Sequence, residues 1–79
     1  MYQIIYYNGS KQETYDYLFN TIWGAIFKAR CITESFGFST DVIGMQYGEV
    51  LASFSSNGKV YADSDLPNDI KKLIYTPIR

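Results

Sequence analysis

One cysteine and one cluster of acidic residues are the side chains of this sequence best suited to chemistry. Cys31 could act as a nucleophile only beside a base, usually histidine, and the chain has no histidine. We therefore interpret Cys31 as a small apolar residue on a helix. Asp63, Asp65 and Asp69 could serve in acid–base chemistry, but their spacing does not match a calcium-binding loop, which alternates its ligands around a central glycine. The simpler interpretation places Asp63 at a strand end and the other two at a helix start, where negative charge is favourable.

Composition also restricts metal and cofactor chemistry. The 79 residues include one Cys and no His, so they lack the nitrogen and sulfur ligands of a zinc site and cannot form an internal disulfide. The six glycines do not have the spacing of a phosphate-binding loop. We therefore predict no catalytic residues, no metal, no cofactor and no enzyme activity.

Aromatic side chains are the most unusual part of the composition. Eight Tyr, five Phe and one Trp make up 18% of the chain, and tyrosine suits surfaces that are partly dry and partly wet. Such surfaces are typical of protein binding. The aromatic and acidic residues that we choose as the candidate partner-binding surface are Tyr7, Tyr47, Tyr61, Asp63 and Asp65.

The N-terminal segment predicts a strand and a tight turn. Residues 2–7 are rich in Tyr and Ile and stop at Asn8-Gly9, a dipeptide suited to a type I′ turn. Residues 10–13 have the capping-box form S-x-x-E, which could begin a helix at once. Alternatively, residues 11–15 pair back onto the first strand, and we favour this hairpin.

A long helix is predicted over residues 17–36, where apolar residues recur at helical spacing. We expect Asp16 to cap its start and Gly37 to end it in a left-handed conformation. Three aromatic residues at i, i+4 and i+8 form a stripe beside the main apolar face. This stripe is the candidate oligomer interface, and it consists of Phe19, Trp23 and Phe27. A homodimer would help so small a domain to bury apolar surface.

Three short strands are predicted after the helix, over residues 42–46, 49–56 and 59–63, because the apolar period changes to two. A two-residue turn at Asn57-Gly58 would join the last two strands. The face toward the helix would then carry Val50, Ala52, Phe54 and Tyr61. The opposite, solvated face would carry Leu51, Ser53, Ser55, Val60 and Ala62.

The last segment, residues 69–75, predicts a short helix ended by Pro77, with one apolar side made of Ile70, Leu73 and Ile74. The chain is thus predicted to be one α+β domain over residues 1–79. Its antiparallel sheet would combine an N-terminal strand or hairpin with a three-stranded meander, packed against one long helix.

The first strand of this sheet has apolar residues on both faces, so each face needs a cover. We expect the C-terminal helix and Ile78 to cover the second face. The alternative cover is a second copy of the chain or a partner protein.

Charge and hydropathy indicate the surroundings of the protein. A net charge of -1 and a pI of about 5.1 argue against direct binding to nucleic-acid phosphates. No apolar stretch approaches the ~20 residues of a membrane span, and residues 1–3 do not begin a secretory signal. We therefore expect a cytoplasmic protein without a membrane partner.

The strand ending in Asn8-Gly9, the long helix, and the segments GEVLA at 48–52 and NGKVY at 57–61 resemble small phage-encoded accessory proteins, among them anti-CRISPR and other anti-defence inhibitors. The resemblance implies a non-enzymatic inhibitor that occludes a surface of a host protein or ribonucleoprotein complex, such as a CRISPR-Cas effector, in the bacterial cytoplasm. Two other hypotheses fit the residues. One is an oligomeric sponge that sequesters a small nucleotide signal between aromatic rings, and the other is a structural, self-assembling subunit.

Overall fold

Five antiparallel strands and two helices make up the fold in the computed structural model, which describes residues 1–76. In chain order they are β1 (Tyr2–Asn8), β2 (Lys11–Thr14), α1 (Ile22–Phe36), β3 (Ser39–Gly44), β4 (Glu49–Phe54), β5 (Val60–Ala62) and α2 (Asn68–Tyr75). The strands form one sheet in the order β2-β1-β3-β4-β5. The predicted α+β fold, with one long helix and one short C-terminal helix, is confirmed. The predicted end of the second helix at Pro77 lies outside the described residues.

The N-terminal hairpin is confirmed, but the helix begins later than predicted. Residues 11–14 pair with residues 5–8, so β2 continues directly from the turn. The predicted type I′ turn at Asn8-Gly9 is wrong, because Asn8 pairs with Lys11 in the sheet and only Gly9, with φ of 64°, has a positive φ. Beyond β2 the chain still follows the edge of β1, because Phe19 and Tyr2 exchange two backbone hydrogen bonds of 2.8 Å. Thr21, whose hydroxyl accepts from the Gly24 N–H at 3.2 Å, therefore caps α1. The predicted start near Tyr17, capped by Asp16, is wrong.

The end of α1 follows the prediction. Gly37 adopts a left-handed conformation with φ of 74°, and its N–H donates to the Thr33 carbonyl at 2.9 Å. A residue with a side chain would be strained there, which is why glycine ends the helix.

The three strands of the meander are confirmed with altered bounds, but the predicted register between β4 and β5 is wrong. Ser55 and Lys59 are joined by a backbone hydrogen bond of 2.8 Å, so three residues rather than two form the turn. Phe54 therefore lies opposite Val60, and Tyr61 lies opposite Ser53. A change of one residue moves every side chain of a strand to the other face. Tyr61 consequently points away from the helices.

A bulge in β4 causes a second change of face. Val42 lies opposite Ala52 and Ile43 lies opposite Val50, so Leu51 has no partner on β3. Val50 therefore shares the face of Ile43, away from the helices, and its predicted place on the helix side is also wrong.

Both helices pack on the same face of the sheet. α1 contacts β1, β3 and β4, while α2 contacts β5 and α1. The buried apolar residues between these layers are Ile4, Ala25, Ile26, Ala29, Ile32, Val42, Ala52, Phe54, Ile70 and Ile74. Ala62 packs against this core, and Val60 lies opposite Phe54, so their predicted place on the solvated face is wrong.

The predicted apolar side of α2 is confirmed, because Ile70 and Ile74 are buried and Leu73 packs against the core. The Arg30 Nη1 atom on α1 donates to the Leu73 carbonyl at 2.7 Å and ties the two helices together. The expectation that the C-terminal helix covers the second face is wrong, since α2 lies beside α1. Ile78, the other expected cover, lies outside the described residues.

Candidate functional site

The face of the sheet opposite the helices carries the candidate site, and we call it the open face. Strand alternation and register place on it Gln3, Ile5, Tyr7, Gln12, Thr14, Ser39, Asp41, Ile43, Val50, Ser53 and Tyr61. Among residues 1–76, no helix lies against this face. It is therefore a broad, mixed surface in contact with solvent.

A hydrogen-bonded carboxylate lies near the middle of the open face. Asp41, on the central strand β3, accepts from the Tyr7 hydroxyl at its Oδ2 atom over 2.8 Å. Its Oδ1 atom accepts from the Ser53 hydroxyl over 2.7 Å. These bonds connect β1, β3 and β4, and they fix the orientation of the Asp41 carboxylate.

The Tyr7 hydroxyl remains protonated in this arrangement. The pKa of Tyr7 is raised above its ordinary value of 10.0, first because the hydroxyl donates a hydrogen bond to Asp41. Burial and the negative charge of Asp41 also raise this pKa. Tyr7 is thus held as a hydrogen-bond donor at neutral pH.

The Asp41 carboxylate can accept further hydrogen bonds. Each carboxylate oxygen has two lone pairs, and each accepts one protein hydrogen bond here. Asp41 is only partly buried. A donor approaching the open face, above all the planar fork of an arginine, would therefore find a negatively charged acceptor already held in place.

Apolar and aromatic groups surround this carboxylate. Ile5 lies beside Asp41 on β1, and Ile43 follows two residues later on β3. Tyr61, exposed to 47%, lies on the far side of Ser53. A depression of about 220 Å³ is lined by Asp41, Lys59 and Tyr61. The open face thus combines aromatic and aliphatic contact area with one oriented charge.

The structure brings some of the predicted partner-binding residues together and separates others. Tyr7 and Tyr61 lie on the open face, on opposite sides of the Asp41–Ser53 pair. Asp63 follows β5, and its N–H donates to the Leu51 carbonyl at 2.9 Å. Tyr47, exposed to 78%, lies in the turn after β3, and Asp65 is exposed between β5 and α2. Tyr7, Tyr61 and Asp63 therefore belong near one surface, whereas Tyr47 and Asp65 lie on connecting segments.

Asp41 and Ser53 are the residues of this site that the sequence does not single out. A signal exists, because an acidic residue directly precedes the alternating segment that begins at Val42. The role of this acidic residue, Asp41, depends on the neighbouring strands, because they carry its hydrogen-bond partners Tyr7 and Ser53.

The predicted oligomer interface is only partly on a helix. Phe19 precedes α1 and packs against the core, with Tyr17 edge-on to it at 4.7 Å between ring centroids. Trp23 and Phe27 remain on the outer side of α1, exposed to 46% and 57%. A homodimer through this stripe stays a prediction.

The described residues offer hydrogen-bond and aromatic contacts rather than a ligand cluster. Among residues 1–76, His, Cys, Asp and Glu form no group of three or more that could hold a metal ion. Within the same range, neither helix has the length and apolar character needed to cross a membrane.

Comparisons with protein families, with curated proteins and with solved structures give no match. The chemistry that this chain can perform is therefore read from the geometry of its own residues.

Proposed function

We propose that this protein is a non-enzymatic binding protein that uses its open face to occupy a surface of a partner protein. The observation that carries the proposal is the Asp41 carboxylate, oriented by Tyr7 and Ser53 in the middle of a sheet face that no described helix covers. Pre-oriented polar groups lower the cost of binding, because less side-chain freedom is lost on association.

The chemistry of the open face favours a basic, arginine-bearing partner. Asp41 offers both carboxylate oxygens to a guanidinium fork. Tyr61 offers an exposed ring on which a guanidinium can stack. Asp63 directly follows β5 and adds a second negative charge. Arginine and tyrosine are also among the residues enriched at the energetically dominant positions of protein interfaces.

The resemblance to small phage-encoded inhibitors specifies this function further. We infer a viral anti-defence protein that acts in the cytoplasm of a bacterial host, and a partner that is a host protein or ribonucleoprotein complex such as a CRISPR-Cas effector. The basic surfaces with which such complexes hold nucleic acid would complement Asp41 and Asp63. Binding there would block the complex without any catalytic step in the inhibitor.

Capture of the partner by wild-type and variant chains tests the proposal. Tagged wild-type protein, Asp41→Asn and Tyr61→Ala would be incubated with bacterial lysate, and the eluted complexes analysed by native mass spectrometry. Asp16→Asn is the matched control for Asp41→Asn, because it removes the same charge from an exposed residue outside the open face.

We expect one stoichiometric partner that binds wild-type protein and Asp16→Asn equally. Asp41→Asn and Tyr61→Ala should each weaken its binding by about tenfold or more. A partner that all four chains bind equally would contradict the use of the open face. A co-eluting nucleotide in place of a protein would instead favour the sponge hypothesis.

A further inference from the structure

A second depression lies on the helical side of the sheet, between α1, α2 and the β4–β5 hairpin. It encloses about 260 Å³. Phe54, Val60 and Tyr75 supply apolar and aromatic wall, and its two charged residues are Arg30 and Glu34. We call this depression the Arg30 groove.

Arg30 is an unusual residue to find in an apolar wall. Only 8% of its surface is exposed, and its guanidinium carbon lies 5.8 Å from the centre of the Phe54 ring. Buried arginines are normally paired with a carboxylate. Here the Nη2 atom is 4.0 Å from the Glu34 carboxylate, which is too long for a hydrogen bond.

Most hydrogen-bonding capacity of Arg30 is unused by the described residues. A guanidinium has five N–H donors, and one hydrogen bond, from Nη1 to the Leu73 carbonyl, is formed at 2.7 Å. Within residues 1–76, no side-chain nitrogen is both fully buried and without a partner. The Nε and Nη2 atoms, which donate no hydrogen bond to a described residue, are therefore not fully buried, and Arg30 lines the groove.

We propose that the Arg30 groove binds a small monocarboxylate carried on an aromatic or apolar body. The guanidinium fork matches a carboxylate in shape and charge, and Phe54, Val60 and Tyr75 match the apolar body. Glu34 sets the charge of the ligand, because its carboxylate beside the groove repels a dianion more strongly than a monoanion. The volume lies below the ~300–1,000 Å³ of typical ligand pockets, so the ligand is small.

This binding site is independent of the proposed function, because Arg30 lies on the helical side of the sheet and Asp41 on the open face. The two depressions share only Phe54, Ser55 and Val60. Two sources share the ligand chemistry. One is a free aromatic acid, and the other is the C-terminal residue of a peptide with its α-carboxylate.

An NMR titration of the full chain with benzoate tests the proposal. Benzamide is the matched neutral probe, and inorganic phosphate is the matched polyvalent anion. We expect benzoate to shift the backbone amides of Gly58, Ile74 and Tyr75, which line this groove and not the depression beside Asp41, with a millimolar Kd. Benzamide and phosphate should bind at least about tenfold more weakly, because one lacks the charge and the other lacks the apolar body.

A short peptide ending in phenylalanine, with a free or an amidated C-terminus, distinguishes the two sources. Shifts of the same amides by the free peptide alone would identify a peptide terminus as an accepted ligand. Shifts by benzoate alone would restrict the site to free acids. Both results support the carboxylate site.

Variants of the two charged residues provide the decisive comparison. Arg30→Lys keeps the charge but loses the fork, so we expect benzoate binding to weaken by about tenfold. Glu34→Gln removes the competing carboxylate, so we expect binding to tighten by about twofold. Glu34 is half exposed, and its replacement should leave the fold intact, which keeps the test valid even if Arg30→Lys unfolds. Lys28→Gln removes a positive charge from the same helix, outside the groove lining, and is the control.

Equal shifts by benzoate and benzamide, or unchanged benzoate binding in Glu34→Gln, would overturn the proposal. Benzoate binding should be unchanged in Asp41→Asn. Failure of the carboxylate site is therefore distinguishable from failure of the open face as a protein-binding surface.

Discussion

The two faces of the sheet use similar residues for different purposes. Ile4 and Ile5 are neighbours on β1, yet Ile4 is completely buried under α1 and Ile5 is only partly buried on the open face. Polar residues differ in the same way. Thr40, exposed to 1%, bonds inward to the Thr33 hydroxyl and the Ala29 carbonyl, whereas Asp41 bonds across the open face. The covered face stabilises the fold, and the open face presents the surface that we propose for partner binding.

The largest expected effect separates Ile4 from Ile5. Ile4→Ala should lower the free energy of unfolding by roughly 2–5 kcal/mol, because it leaves a cavity under α1. Ile5→Ala should cost only about 1 kcal/mol, since its side chain already meets water. Urea denaturation measures both. The milder pair Ile4→Val and Ile5→Val keeps the comparison possible if Ile4→Ala does not fold.

Equal losses at the two positions would contradict the difference between the faces. They would mean that another chain covers the open face in solution.

The polar residues should show the same contrast with a smaller effect. Thr40→Val should cost roughly 1–3 kcal/mol, because the Thr33 hydroxyl and the Ala29 carbonyl lose a buried partner. Ser53→Ala should cost about 0.5 kcal/mol, since water can replace its hydrogen bond to Asp41. Thermal unfolding at fixed pH measures both. A larger loss in Ser53→Ala than in Thr40→Val would reverse the assignment of the two faces.

A pH-dependent effect is expected on the open face. Because folding raises the pKa of Tyr7, its hydrogen bond to Asp41 stabilises the protein below the ordinary tyrosine pKa of 10.0. This stabilisation is lost as the pH rises through the folded-state pKa. Tyr7→Phe should therefore cost about 0.5–1 kcal/mol at neutral pH.

The measurement is the unfolding free energy of wild type and Tyr7→Phe across this alkaline range. The gap between the two proteins should close as Tyr7 ionises. A gap that stays constant would show that the hydroxyl contributes nothing through Asp41.

The smallest expected effect on stability comes from the exposed rim of the open face. Tyr61→Thr keeps a residue suited to a strand, and it should change the free energy of unfolding by no more than about 0.5 kcal/mol. Partner binding should nevertheless fall, because the aromatic surface is lost. Stability by urea denaturation and binding by calorimetry would be measured on the same sample. A large loss of stability would show that Tyr61 is part of the packing instead.

Local signals account for the parts of the fold that the sequence predicts correctly. Gly9 and Gly37, with φ of 64° and 74°, need only their own backbone conformations to end a strand and a helix. The apolar side of α2 follows from the spacing of Ile70, Leu73 and Ile74. Each of these features depends on residues close together in the chain.

The wrong predictions depend on partners that lie elsewhere in the chain. The start of α1 moves from Tyr17 because Phe19 pairs with the backbone of Tyr2. The β4–β5 turn is a local exception. Asn57-Gly58 fits a two-residue and a three-residue turn equally well, and the bond between Ser55 and Lys59 shows that three residues form it.

The candidate site is predictable only in part for the same reason. Tyr7 and Tyr61 are recognisable as candidates by residue type. The role of Asp41 depends on its hydrogen bonds to Tyr7, 34 residues away, and Ser53, 12 residues away. The bulge at Leu51 places Val50 on the open face. No local sequence pattern predicts this bulge.

The order of the strands also has a consequence for the rate of folding. The β1–β2 hairpin and the β3–β4–β5 meander are each built from neighbours in the chain, but β1 and β3 are separated by β2 and all of α1. Closing so long a loop costs conformational entropy before any contact between β1 and β3 compensates for it. We therefore expect the hairpin and the meander to form early. The pairing of β1 with β3 should be the rate-limiting step of folding. The Tyr7–Asp41 hydrogen bond joins β1 to β3. The binding surface is therefore complete only after this last step of folding.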